Sequence, residues 1–133
     1  MGQLVNLKCK KCGYETNLGV GAGMLFNNLE KVITMFDKPT QDRIRTLVKE
    51  NGQKPWYIYK EIGICEKCGK ISAIAVFKSG DGLGNPVEFH GRCSCGSENV
   101  NLHSFDSIQE GRATISCPTC GETMEVTVQG NWD

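Results

Sequence analysis

Eight cysteines, arranged as four close pairs, are the residues whose type and spacing point most directly to chemistry. Two thiolates separated by one or two residues can turn toward one metal ion, and the glycine that follows each pair can close the turn. We call each pair a knuckle and number the knuckles in chain order. The knuckles are Cys9/Cys12, Cys65/Cys68, Cys93/Cys95 and Cys117/Cys120. Because a tetrahedral ion takes four ligands, the pattern predicts two four-cysteine metal sites that together use all eight cysteines.

A site of four thiolates leaves no coordination position for water or substrate, so the metals are predicted to hold the fold rather than to react. Two zinc ions per chain are expected, and iron also fits four thiolates. His90 and His103 are predicted to be ordinary polar residues, since eight cysteines already suffice. No Ser/His/Asp or paired-carboxylate pattern stands out, so no catalytic residue is predicted and an enzyme is not favoured.

The location of the protein is predicted from what its sequence lacks. No secretory signal pattern is visible, and no apolar run of about 18 residues could span a bilayer. A secreted disulfide framework is disfavoured because the cysteine pairs have metal-ligand spacing. We therefore expect a cytoplasmic protein that is not associated with a membrane.

The formal net charge of zero conceals an asymmetry along the chain. Residues 1–68 hold 11 Lys and Arg against 7 Asp and Glu, whereas residues 69–133 hold 4 against 8. The first knuckle is surrounded by Lys8, Lys10 and Lys11. These lysines predict a contact with nucleic acid or with an acidic protein surface.

Alternating apolar and polar residues predict strands on both sides of the knuckles. The predicted strands are 4–7, 13–18, 55–64, 71–77, 87–89, 99–103, 113–115 and 124–128. Trp56, Tyr57 and Tyr59 in the third strand are expected to be buried, with stacking on nucleic-acid bases as the alternative. The glycine-rich segment 18–24 is expected to allow close backbone packing rather than to bind an anion.

Two amphipathic helices are predicted between the first and second knuckles. Apolar residues recur every three or four positions from Met24 to Phe36, and Pro39 is expected to end that helix. Thr40 is predicted to cap a second helix that continues to Glu50 and ends at Asn51-Gly52. The apolar stripe of this pair is assigned to the core, although a partner-binding groove would have the same pattern.

The predicted fold class is α+β, with two zinc β-ribbons of which the first carries the two-helix insertion at about 24–51. The turn residues of segment 79–86 mark a boundary, so the predicted domains are 1–79 and 80–133. This division favours sequential pairing, in which the first and second knuckles form one site and the third and fourth form the other. Interleaved pairing, first with fourth and second with third, remains open.

Several short motifs resemble a group of uncharacterised bacterial zinc-ribbon proteins. The matching segments are Cys9-x-x-Cys12-Gly13-Tyr14-Glu15, Leu18-Gly19-Val20-Gly21, Cys65-x-x-Cys68-Gly69, Cys117-Pro118-x-Cys120-Gly121-x-x-Met124 and Trp132-Asp133. The resemblance implies a zinc-ribbon fold with bound zinc and implies no particular activity. The third knuckle departs from the pattern by having one residue between its cysteines. The first and fourth knuckles are also similar to those of rubredoxins, which implies an iron or thiol electron-transfer protein as the alternative function.

Overall fold

The computed structural model describes residues 2–22, 28–50, 56–79 and 87–132. The predicted beginning of the first helix at Met24, the helix end at Asn51-Gly52 and the turn at 80–86 lie outside these ranges. The described part is α+β, as predicted, with mostly antiparallel sheet and three short α-helices. The strands are β1 Gly2–Lys8, β2 Glu15–Val20, β3 Trp56–Cys65, β4 Ile71–Ser79, β5 Val87–His90, β6 Val100–His103 and β7 Glu125–Trp132. The helices are α1 Leu29–Val32, α2 Lys38–Glu50 and α3 Phe105–Gln109.

A three-stranded sheet in the order β2-β1-β7, which we call the outer sheet, combines the two ends of the described chain. β1 pairs with β2 from Gln3↔Val20 to Lys8↔Glu15, and with β7 as far as Lys8↔Glu125. Val5 and Leu7 alternate toward the core and are almost completely buried. The strand that follows the fourth knuckle therefore lies beside the strand that leads to the first knuckle.

A four-stranded sheet in the order β5-β4-β3-β6, which we call the inner sheet, is formed by the middle of the chain. β3 and β4 form a hairpin around the second knuckle, from Trp56↔Ser79 to Ile64↔Ile71. β6 follows the third knuckle and pairs with β3 up to Cys65↔Val100. Strands β3, β4 and β6 thus repeat the order and directions of β1, β2 and β7.

The two sheets meet where β2 ends. The Gly21 N–H donates to the Lys60 carbonyl at 2.8 Å, and the Lys60 N–H donates to the Gly21 carbonyl at 2.9 Å. Because β2 is antiparallel both to β1 and, through this bridge, to β3, strands β1 and β3 run in the same direction. The first two knuckles follow these strands, so both lie at the same end of the molecule.

Two apolar clusters hold these parts together. The first joins the outer sheet to the inner sheet near the knuckles, and it includes Leu7, Ile62, Ile71 and the Cys9 and Cys117 side chains. The second lies between the helical segment and the other end of the inner sheet. Its buried members are Val32, Ile33, Phe36, Ile44, Ile58, Ala75 and Phe77. The helical stripe is therefore core, as predicted.

The helices begin differently from the prediction. After α1, a 3₁₀ turn covers Ile33–Met35, and α2 already begins at Lys38, so Pro39 lies inside its first turn. Proline is tolerated there because its missing N–H would have no helical partner and its φ is already helical. The prediction that Thr40 is the cap is wrong. Asp37 precedes the helix, its carbonyl accepts from the Gln41 N–H at 2.9 Å, and its carboxylate accepts from the Thr40 hydroxyl at 2.6 Å.

The segment between the third and fourth knuckles also differs from the prediction. The predicted strand at 113–115 is absent from the described chain, where a single bridge, Ser116↔Thr123, brackets the fourth knuckle. The short helix α3, which was not predicted, places Phe105 in the first apolar cluster. Among the described helices, none is long and apolar enough to cross a membrane.

The topology is nested rather than sequential. The inner sheet is built from residues between Trp56 and His103, and the outer sheet combines residues 2–20 with 125–132. Each sheet therefore takes strands from both sides of the predicted boundary between residues 79 and 80. Whether 1–79 and 80–133 can fold as separate units stays a prediction, and the strand pairing gives it no support.

Candidate metal centres

The first and fourth knuckles come together at the end of the outer sheet. Cys9 Sγ lies 3.4 Å from Cys120 Sγ, and Cys12 Sγ lies 3.5 Å from Cys117 Sγ. All four sulfur atoms are within 4.8 Å of one another. We call this group the outer cluster.

The second and third knuckles form an equivalent group at the end of the inner sheet, the inner cluster. Cys65 Sγ lies 3.6 Å from Cys95 Sγ, and Cys68 Sγ lies 3.5 Å from Cys93 Sγ. These four sulfur atoms also lie within 4.8 Å of one another. The single residue between Cys93 and Cys95 therefore does not prevent the third knuckle from presenting both thiols.

Sequential pairing, which the sequence favoured, is wrong, and the interleaved alternative is correct. The physical reason is strand pairing, because β7 pairs with β1 and β6 pairs with β3. Loop length does not decide which knuckles pair, because doubling the length of a loop adds only about 0.6 kcal/mol to the free energy of closing it. The hydrogen bonds of an entire strand outweigh that difference.

The local fold of each knuckle follows from its sequence. In the first, second and fourth knuckles, the N–H of the closing glycine donates to the carbonyl of the first cysteine at 2.9–3.0 Å. The third knuckle makes the corresponding bond from Gly96 to Cys93 at 2.8 Å. All four glycines have a positive φ between 75° and 91°, a region in which other residues are strained. Glycine is therefore required where the turn reverses.

The spacing of the sulfur atoms fits a tetrahedral metal ion. Zn–S bonds of about 2.3 Å place the sulfurs of a tetrahedral site roughly 3.8 Å apart. The close contacts in both clusters, 3.4–3.6 Å, approach that value and far exceed a disulfide bond of about 2.05 Å. All eight cysteines are free. One thiol of each knuckle is buried and the other is exposed, so each cluster has two buried and two exposed sulfurs.

Backbone donors favour the thiolate form of the first cysteine in the knuckles. The Cys68 N–H points at Cys65 Sγ from 3.4 Å and lowers the pKa of Cys65 to about 6. Burial raises the pKa of Cys117, but the Cys120 N–H acts in the opposite direction and the pKa falls to about 6. A thiolate is the form that binds a metal, so each cluster contains a sulfur prepared for coordination near neutral pH.

Cys68, the second cysteine of the second knuckle, behaves in the opposite way. The Lys70 N–H lowers the pKa of Cys68, but the neighbouring Cys93 thiol and burial together raise it to about 11. Four thiols in close contact share protons because they cannot all ionise without a counter-charge. A divalent cation supplies that charge and displaces the remaining protons.

The two clusters are neighbours. A Cβ placed on Gly69 of the second knuckle would lie 4.0 Å from the Pro118 Cβ of the fourth knuckle. Since β1 and β3 point in the same direction, both candidate metal centres occupy the same end of the fold. This end is formed by all four knuckles.

Neither histidine belongs to either cluster within the described residues. His90 Nδ1 lies 2.9 Å from the Gly91 carbonyl oxygen, and His103 pairs with Ile62 in the inner sheet. The eight cysteines singled out from the sequence are therefore the side chains that the structure brings together in these two groups. Their assignment as metal ligands stays a prediction.

Two of the three lysines of the predicted partner surface, Lys10 and Lys11, are ion-paired. Lys10 Nζ lies 3.2 Å from a Glu125 carboxylate oxygen, and Lys11 Nζ lies 3.3 Å from a Glu122 carboxylate oxygen. Both glutamates belong to the acidic second half of the chain, which the nested fold places beside the first knuckle. The charge asymmetry of the sequence is thus partly cancelled at this end of the molecule.

The predicted aromatic group is divided between two faces of the inner sheet. Trp56 packs against the second apolar cluster, with its ring 6.5 Å from the Phe77 ring. Tyr57 lies on the opposite face and is 62% exposed, and Lys78 lies over the Tyr59 ring at 5.6 Å. The three rings therefore do not form one stacking surface, and the prediction that all three are buried is wrong for Tyr57.

Comparison with models of known protein families, with curated proteins and with solved structures finds no match. The function is therefore inferred from the two cysteine clusters and their geometry.

Proposed function

We propose that this protein binds two zinc ions, one in each cysteine cluster, and that both metals are structural. The observation that supports this proposal is the grouping of eight free cysteines into two sets of four with near-tetrahedral sulfur spacing. On this view the chain consists of two zinc ribbons, one inserted into the other. The outer ribbon would contain Cys9, Cys12, Cys117 and Cys120, and the inner ribbon Cys65, Cys68, Cys93 and Cys95.

A structural role follows from the chemistry of the ligands. Four thiolates complete the preferred coordination of zinc and leave no position for a reacting water or substrate. The first apolar cluster includes a buried cysteine from each knuckle of the outer cluster, so metal binding and core packing involve the same side chains. Metal binding would therefore contribute directly to the folding free energy.

Metal analysis of the purified protein tests the proposal. We expect two zinc ions per chain by elemental analysis, with all eight thiols unreactive until a strong chelator removes the metal. Chelation should then reduce the ordered structure seen by circular dichroism. A protein that contains four disulfides, or that keeps its spectrum after verified metal removal, would contradict a structural metal role.

An iron electron-transfer protein is the second candidate, and one observation favours it. The two knuckles that resemble those of rubredoxins, the first and the fourth, lie in the same cluster even though Cys12 and Cys117 are 105 positions apart. A ferric tetrathiolate at the outer cluster would be red, whereas zinc is colourless. Visible absorption of protein prepared with iron and zinc both available distinguishes the two candidates.

Contact with nucleic acid or with an acidic protein surface stays a prediction. Lys10 and Lys11 remain largely exposed, but their ion pairs with glutamates weaken the local positive potential. If nucleic acid binds, its affinity should fall steeply with salt, because phosphate contacts release counterions. A titration at low salt that shows no binding would remove this class of partner.

A further inference from the structure

A lysine occupies a position of β3 where the strand alternation calls for an apolar residue. Ile58 and Ile62 point from β3 into the two apolar clusters, and Lys60 lies between them on the same face. Its side chain is partly buried, and no carboxylate of the described residues lies within ion-pair distance. Its ammonium group lies over the Trp132 ring, 6.0 Å from the ring centroid.

The neighbouring strand leaves space beside this lysine. Ala75 pairs with Lys60, and Ala73 pairs with Ile62. These two small side chains lie between the bulky Ile71 and Phe77 on the same face of β4. They form the floor of a cavity of about 240 Å³, which Met35 borders from the helical segment.

A second cation, Arg92, also borders the cavity. Gly91 and Arg92 follow β5, and the Gly91 N–H donates to the Ala75 carbonyl at 2.8 Å. Arg92 Nη2 lies 3.5 Å from an Asp37 carboxylate oxygen and also contacts Glu98. Both ion pairs use the same nitrogen, so the other N–H groups of the guanidinium form no ion pair within the described residues.

The residues that border the cavity thus include two cations and no anion. Arg92 is already paired with Asp37 and Glu98, so Lys60 carries the charge that no carboxylate of the described residues balances. A cavity lined mainly by apolar groups with a few polar groups at its edge is the usual form of a small-molecule site, and an anionic ligand would supply the missing charge.

We propose that the cavity bordered by Lys60 and Arg92 binds a small molecule through a carboxylate or phosphate group. The ammonium group of Lys60 would pair with the oxyanion, and the guanidinium of Arg92 would donate hydrogen bonds from its unused N–H groups. Ala73, Ala75 and Met35 would contact a short apolar part of the same molecule. A volume of about 240 Å³ has room for the anionic group and a short apolar part.

Titration of the zinc-loaded full-length protein by ¹H–¹⁵N NMR at low ionic strength tests this site. Inorganic phosphate and acetate serve as separate probes, because they distinguish the two oxyanion chemistries. At least one should give saturable shifts at the amides of Lys60, Ala75 and Gly91, with a Kd on the order of 1 mM. Absence of saturation with both probes at about 50 mM would overturn the proposal.

Two substitutions of Lys60 and one matched control test whether anion binding depends on this lysine. Lys60→Met should weaken binding at least about tenfold, whereas Lys60→Arg should retain it, because a charge-assisted bond is lost only in the first variant. Lys78→Met removes the same charge from the opposite face of the sheet and should leave the Kd unchanged. Equal Kd values for the Lys60→Met variant and the unmodified chain would overturn the site.

Stability separates a binding role from a structural one. Without added anion, Lys60→Met should raise the thermal midpoint, because an apolar side chain replaces a partly buried charge at an inward position. A lower midpoint would show that Lys60 stabilises the fold through its contact with Trp132, and would overturn the interpretation of this lysine as a ligand-binding residue.

Discussion

At the scale of single residues, the pairing of the cysteines predicts which double substitutions remove one metal and which remove two. Cys12→Ser combined with Cys120→Ser alters the outer cluster alone, so the protein should keep one tightly bound zinc in the inner cluster. Cys12→Ser combined with Cys68→Ser removes one ligand from each cluster, so both sites should bind zinc weakly.

The measurement is zinc content after dialysis against a moderate chelator. Both double variants lose two exposed thiols, so each is the matched control for the other. Sequential pairing would give the reverse result, with one zinc retained when Cys12 and Cys68 are replaced together.

Asp37 is a second residue with a measurable role, because it precedes α2 and accepts the Thr40 hydroxyl. Asp37→Ala should reduce the free energy of unfolding by about 1 kcal/mol, as is usual for the loss of a helix cap. Asp42→Ala should have a much smaller effect, because its ion pair with Lys38 is exposed. Urea unfolding of the zinc-loaded variants measures both.

The pH dependence of the Asp37 contribution has a definite sign. The Thr40 hydroxyl, with a smaller contribution from the Arg92 charge, holds the pKa of Asp37 below its ordinary value. The stabilisation by this carboxylate is therefore complete above the unfolded pKa of about 4 and is lost as the pH falls through the lower folded pKa. The difference in unfolding free energy between the unmodified chain and Asp37→Asn should shrink over that range. A difference that grows on acidification would contradict this assignment.

At the scale of elements, Gly63 shows how closely the inner strands pack. A Cβ at this position would lie 2.5 Å from Ile74 Cγ1 and 2.7 Å from Val100 Cγ1. Gly63→Ala should therefore destabilise the protein by about 1–3 kcal/mol, because β4 and β6 would have to move away from β3. Gly130→Ala in β7 is the control, since its nearest atom would be 3.8 Å away. Equal denaturation midpoints for the two variants would contradict this packing.

The strands were the elements that the sequence predicted best, because a strand is recognised from its own alternation of apolar and polar residues. Alternating residues such as Val5 and Leu7, followed by a knuckle, determine a strand without any long-range information. The Asp37 cap was missed because Pro39 suggested a break, although proline also fits the first turn of a helix. Lys60 was not predicted as a site residue, although its position between Ile58 and Ile62 was the available signal.

At the scale of the whole molecule, the sequence predicted all eight cysteines of the two clusters but not how their knuckles pair. Pairing depends on which strands meet, and nothing in segments 87–89 or 124–128 specifies a partner strand. The turn chemistry of segment 79–86 indicated a boundary, yet strands from both of its sides share each sheet. Turn residues indicate only where the chain bends, whereas the topology depends on which strands pair.

Fragments of the chain test the nested topology. Fragments 1–79 and 80–133 each contain two knuckles that belong to different clusters, so neither should hold zinc tightly on its own. A fragment of residues 28–112 contains the complete inner cluster together with the helices that cover its sheet, and it should bind one zinc. Elemental analysis of the three fragments measures this. One tightly bound zinc in each of the first two fragments would contradict the nested fold.

The nested order also determines when each cluster can be completed during synthesis on the ribosome. Cys65 and Cys95 are 30 positions apart, but Cys9 and Cys120 are 111 positions apart. At about 5–20 residues per second, the first knuckle waits roughly 6–20 s for its partner, whereas the second waits only a few seconds. Throughout that interval β1 has emerged without β7, and its two thiols are available to other metals, oxidants or the knuckles of a neighbouring nascent chain. The inner centre should therefore mature first, and errors of assembly should concentrate at the outer one.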